Sequence, residues 1–145
     1  MSARRMTILA PEGMLGYGIP PRSMAEGMTR NPDALGVDAG STDPGPYYLG
    51  AGVPFTNRRA VKRDLSMILE AARARHIPVL IGSAGGGGGA PHLEWTLDVY
   101  REICRERGYG FRTAVIGAEV DKGWLKRKIS LGRVSPLDQI GRAHV

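Results

Sequence analysis

The sequence predicts an α/β protein: a Rossmann-like open parallel sheet of three-layer α/β/α type, truncated at its end. Three observations carry this. Short apolar runs alternate with longer amphipathic ones, the order of successive right-handed βαβ units. Val79-Leu80-Ile81 is apolar at every position, as a central strand covered on both faces requires. Glycine is abundant, 21 of 145 residues, and its clusters directly follow the strand-like runs.

Taken in order, Met6 to Ala10 reads as the first strand, stopped by Pro11 and followed by Gly13, Gly16 and Gly18. Ser23 is placed to cap a short helix over Met24 to Met28, which Asn31-Pro32 ends. Ala34 to Asp38 reads as the second strand. A long loop then runs to Asn57, near the length at which loops are usually functional. The clearest helix spans Arg59 to His76, with Val61, Leu65, Ile68, Leu69 and Ala72 forming one apolar stripe. After the strand at Val79 and the glycine run 82–89, a helix is expected from His92 to about Arg107. Its apolar face carries Leu93, Leu97, Tyr100 and Cys104, and Gly108 ends it. Thr113 to Gly117 reads as a fourth strand, and Gly123 to Ile129 as the start of a further helix.

Composition narrows the functional classes. Apolar residues make up 42% and charged residues 23%, a globular balance. No apolar run approaches the roughly 18 residues of a membrane span, and no signal-peptide core follows the first arginines, so a cytoplasmic location is expected. One cysteine, Cys104, excludes an internal disulfide and a cysteine-based zinc cluster. The net charge of +6 is scattered among acids. Its densest part, Lys122, Lys126, Arg127, Lys128 and Arg133, reads first as a solvated helix face and next as an anion site. Nucleic acid is not expected as a partner, because no aromatic residues interleave with the charges.

The last residues, Gln139 to Val145, resemble the translation of a sequencing adapter. The domain is therefore expected over residues 6–137, with 138–145 a non-native tail and the natural chain continuing beyond it.

In open parallel sheets, ligands bind at the carboxyl ends of the strands. The glycine-rich segments 13–18, 36–52 and 82–89 converge there. Gly82-Ser83-Ala84-Gly85-Gly86 is the strongest local signal. A strand that runs into glycines and then a helix offers backbone N–H groups and a helix dipole to an anion. The alternative is a flexible surface loop. Three named motifs are absent: the nucleophile elbow has Ile81 at its first glycine, no Lys follows the glycines as a Walker A loop requires, and Gly16-Tyr17-Gly18 lacks the third glycine of a dinucleotide fingerprint.

Asp38, at a strand end, His92, opening a helix, and Glu119, after the fourth strand, are the candidate acid/base residues. Their structural alternatives are turn chemistry for Asp38 and a first-turn surface position for His92. Gly16, Tyr17, Gly18, Gly40, Ser41, Thr42, Asp43 and Asn57 are expected to line the pocket. No metal site is expected, and no cofactor is specified.

Several segments together resemble the amino-terminal part of the acyclic terpene utilisation AtuA family. They are Gly16-Tyr17-Gly18, the stretch from Gly36 to Pro46, Arg63-Asp64-Leu65, and Ile81 to Gly85; the likeness covers most of residues 6–135. It implies breakdown of acyclic terpenoid and related organic acids, often as CoA thioesters, and supplies no catalytic residues. The expected partner is a small anionic metabolite or acyl-CoA, with an oligomer or partner subunit also compatible. The expected chemistry is that of a lyase or hydratase, which moves a proton next to a carbonyl. The alternative is a non-catalytic subunit that binds an anion or acyl-CoA.

Overall fold

The computed structural model describes residues 5–40 and 46–135. It contains a three-stranded parallel sheet in the order β1 (Ile8–Leu9), β2 (Ala34–Asp38), β3 (Val79–Gly82). Helix α1 (Pro21–Met28) connects β1 to β2. The short α2 (Tyr47–Ala51) and the long α3 (Arg58–Arg75) connect β2 to β3. Helices α4 (Ala90–Arg107) and α5 (Lys122–Ser130) follow. The open parallel α/β architecture is the one the sequence predicts.

Both crossovers advance across the sheet in the same direction. Right-handed connections of that kind put their helices on the same face. Leu35 and Val37 of β2 point into that face and are buried with Leu65, Ile68 and Leu69 of α3, Val99 and Ile103 of α4, and Met24 of α1. The register sets Ile8 opposite Ala34 and Leu80 opposite Gly36, so Ile8 and Leu80 share the other face, where they are 58% and 57% exposed.

The α3 stripe is buried as its spacing predicts, with Asp64 buried among it. Each such Leu or Ile contributes about 1.5–3 kcal/mol by leaving water. Asn57 caps the helix: its Oδ1 accepts the Arg59 N–H at 2.9 Å. Asn57→Ala should therefore cost about 1 kcal/mol of stability, read as a shifted urea midpoint with unchanged m. Ion pairs then tie α3 to α4, from Lys62 to Glu102 and Glu106 and from Arg107 to Glu70.

Five sequence expectations need correction. Val79-Leu80-Ile81 is the outer strand of the described sheet and not a central one covered on both faces: none of its residues is buried, and Leu80 is exposed. Ser23 does not cap α1, because Pro21 starts the helix two residues earlier, after an extended Pro20. The loop before Asn57 contains α2. The buried face of α4 is His92, Thr96, Val99 and Ile103. The face with Leu93, Leu97, Tyr100 and Cys104 lies about 100° around the helix and is half-buried. It turns toward the chain that follows, where the Tyr100 hydroxyl bonds Thr113 Oγ1 at 2.7 Å and its ring lies 6.3 Å from Phe111. Finally, Thr113 to Gly117 forms no strand. Residues 109–121 have no regular structure, and Ile116 is 85% exposed. This segment passes beside α4 and pairs with no described strand.

Candidate functional site

The glycine-rich loops do meet at the carboxyl edge of the sheet. The Leu15 N–H donates to the Asp38 carbonyl at 2.8 Å, tying the first loop to the end of β2. The Ala39 N–H donates to the Gly82 carbonyl at 2.9 Å, carrying the β2–β3 ladder into the loops. At Gly40, a Cβ would lie 2.5 Å from Ser83 Cβ and 2.8 Å from the Gly86 carbonyl oxygen, so only glycine fits between these loops.

The loop after β3 is sharply folded. Ser83 is left-handed, with φ 46°, although it carries a side chain. Such strain persists only where the surroundings fix it, and it concentrates at ligand-binding edges. A single 3-10 turn over Ala84–Gly86 follows, and α4 begins at Ala90. The run of glycines is thus a packed turn and not a flexible linker.

Glu119 reaches this edge from outside. Its Oε1 accepts the Ala90 N–H at 2.8 Å, in the first turn of α4. A carboxylate is therefore held at the helix N-terminus, where the dipole favours negative charge. Asp38 ends β2 with an exposed side chain whose Oδ1 accepts the Gly40 N–H at 2.9 Å. Asp38, Gly82, Ser83 and Gly40 are thus brought together, with Glu119 beside the adjoining helix start.

His92 is placed otherwise than on an exposed first turn. It is buried, and its Nε2 faces the carbonyl oxygens of Tyr48 at 3.0 Å and Val53 at 3.1 Å. Facing two acceptors, Nε2 carries the proton. The ring clamps the 46–53 loop against α4. Nδ1 is buried without a partner among the described residues and faces Gly89, the position a capping-box side chain takes. Gly85 packs so closely on the His92 backbone that a Cβ there would overlap its carbonyl.

The first loop differs most from expectation. Gly16 and Gly18 do not offer their N–H groups to a ligand. Both donate to Asp64 Oδ2, at 3.1 and 3.0 Å, and the Ile19 N–H reaches Oδ1 at 3.4 Å. The loop encloses a carboxylate of its own chain. Arg63 Nε bonds the same carboxylate at 2.7 Å, and Glu12 Oε2 accepts from the Gly18 N–H at 3.2 Å. Sequence reading missed Asp64 and Glu12. The available signal was a carboxylate inside an otherwise apolar stripe.

Tyr17 is exposed, 6.4 Å from Phe55, which in turn meets Tyr48 at 5.1 Å. These rings edge the site. The Asn57 side chain caps α3. Ser41, Thr42 and Asp43 lie outside the described residues, as do residues 138–145. Among the described residues, no cluster of three His, Cys, Asp or Glu side chains could hold a metal ion, and no helix is long and apolar enough to cross a membrane. The basic cluster from Lys122 lies on and just beyond α5; Lys128 is half-buried and the others are exposed.

No protein-family model, curated protein or solved structure matches the chain.

Proposed function

We propose that this protein binds a small organic anion, a free carboxylic acid or an acyl-CoA, at the edge formed by Asp38, Gly40, the 82–89 loop and the start of α4. The observation that carries this reading is the Glu119 carboxylate on the Ala90 N–H. It is an intramolecular example of the interaction that a ligand carboxylate or phosphate would make. The likeness to the AtuA family narrows the anion to acids of acyclic terpenoid breakdown.

Two forms of the reading differ in chemistry. In a lyase or hydratase, Asp38 would be the acid/base group, since its carboxylate is open to solvent beside the loop. In a binding subunit no proton moves. The enclosure of His92, with Nε2 committed to two carbonyl oxygens, favours the binding form.

Calorimetry with branched short-chain acids and their CoA thioesters tests this, with product analysis of the same mixtures. Binding without conversion supports the subunit, and conversion that Asp38→Asn abolishes supports the enzyme. Glu119→Ala should tighten binding about fivefold, because it removes a competing carboxylate worth about 1 kcal/mol. No heat with either ligand class would sink the proposal.

A further inference from the structure

The Glu12–Asp64 contact at the first loop has consequences of its own. One N–H, that of Gly18, donates to two carboxyl groups, Glu12 Oε2 at 3.2 Å and Asp64 Oδ2 at 3.0 Å. Asp64 is fully buried, and Glu12 Oε1 is buried with no partner among the described residues. The charged groups facing Glu12 are Asp64 and Arg63, both from α3. Arg63 is already bonded to Asp64 through Nε, and its side chain is 56% exposed. Two carboxylates so close, with one partly screened cation bonded to Asp64, cannot both ionise without repulsion.

We propose that Glu12 and Asp64 share one proton in the closed loop, and that loss of this proton releases the Glu12–Ile19 loop from the edge of the sheet. Asp64 is the ionised partner, because it accepts three backbone N–H groups and Arg63. Glu12 is the protonated one. Burial first, and then the Asp64 charge, push its carboxyl up to about 7. A carboxyl raised in the folded state binds a proton that the open loop gives up, so closure is favoured below the ordinary carboxylate range. It weakens as pH rises from about 4.5 toward about 7 and is weakest above that. Across this window the opening constant rises up to tenfold per pH unit. The device would couple the order of the loop beside Asp38 to pH near neutrality.

Carboxyl-carbon NMR of protein labelled at Glu and Asp tests this, with the Gly16 and Gly18 amides followed in the same samples. The expected result is one carboxyl with a midpoint near neutral pH, and Gly18 amide shifts with the same midpoint. Glu12→Gln keeps the Gly18 acceptor and supplies an N–H toward Asp64, mimicking the protonated acid. It should remove that titration and leave the Gly18 amide flat from pH 5.5 to 8.5. Every carboxyl titrating below pH 5.5, or a wild-type Gly18 amide that does not respond, would overturn the proposal. The wild-type titration decides even if the variant fails to fold. It is also independent of anion binding, so it stands or falls apart from the proposed ligand.

Discussion

Asp64→Ala should be the most damaging single substitution in this protein, costing at least about 3 kcal/mol. The carboxylate is fully buried and accepts the N–H groups of Gly16, Gly18 and Ile19 as well as Arg63 Nε. Its removal leaves the Gly16 and Ile19 donors without their acceptor and Gly18 with Glu12 alone; each orphaned donor carries a desolvation cost of about 1–3 kcal/mol, which water entry then partly relieves. Marginal domains have only about 5–15 kcal/mol in total. Urea unfolding should show the loss as a lower midpoint. Asp64→Asn keeps one oxygen acceptor and should cost less. Equal midpoints for Asp64→Ala and wild type would show that the loop is held by something else.

The second large effect is expected at Gly85. It is left-handed, with φ 71°, and a Cβ there would overlap the His92 carbonyl. Backbone cannot swing aside as a side chain can. Gly85→Ala therefore combines about 1–2 kcal/mol of left-handed strain with about 1–3 kcal/mol of overpacking. Gly88 separates the two contributions. Its φ is 68°, but its nearest contact for a Cβ is 3.6 Å, an ordinary distance. Gly88→Ala should cost only the strain, about 1 kcal/mol. A thermal-melt series should therefore rank wild type above Gly88→Ala and Gly88→Ala above Gly85→Ala. If the two variants melt together, the contact with His92 is not what holds the loop.

Periodicity revealed the parts of the fold that bury a repeating apolar face. The α3 stripe lies where its spacing put it, because burial of that face decides the helix. The apolar run of β3 does form a strand, but an outer one of the described sheet, with Leu80 exposed. Val115 and Ile116 have strand-like composition but no strand partner among the described residues, and β-propensity yields to context. Convergence of the loops was also legible, since glycines after parallel strands must meet at one edge. What fills those loops was not. Whether an N–H meets a ligand or a carboxylate 46 or 48 residues away depends on tertiary contact: Asp64 marks itself by interrupting an apolar stripe, but nothing local says which N–H groups it accepts. His92 shows the same limit: its place at a helix start was visible, but its burial under Tyr48 and Val53 was not.

The distance along the chain between each loop and its carboxylate also bears on how the protein folds. Asp64 lies 45 to 48 residues from the N–H groups it accepts, and Glu119 lies 29 from Ala90. Neither loop can close on its acid until a large ring of chain has been drawn in, and such closures are slow and entropically costly. The sheet edge should therefore acquire its shape after α3 has docked. Its amides should also exchange through openings smaller than global unfolding.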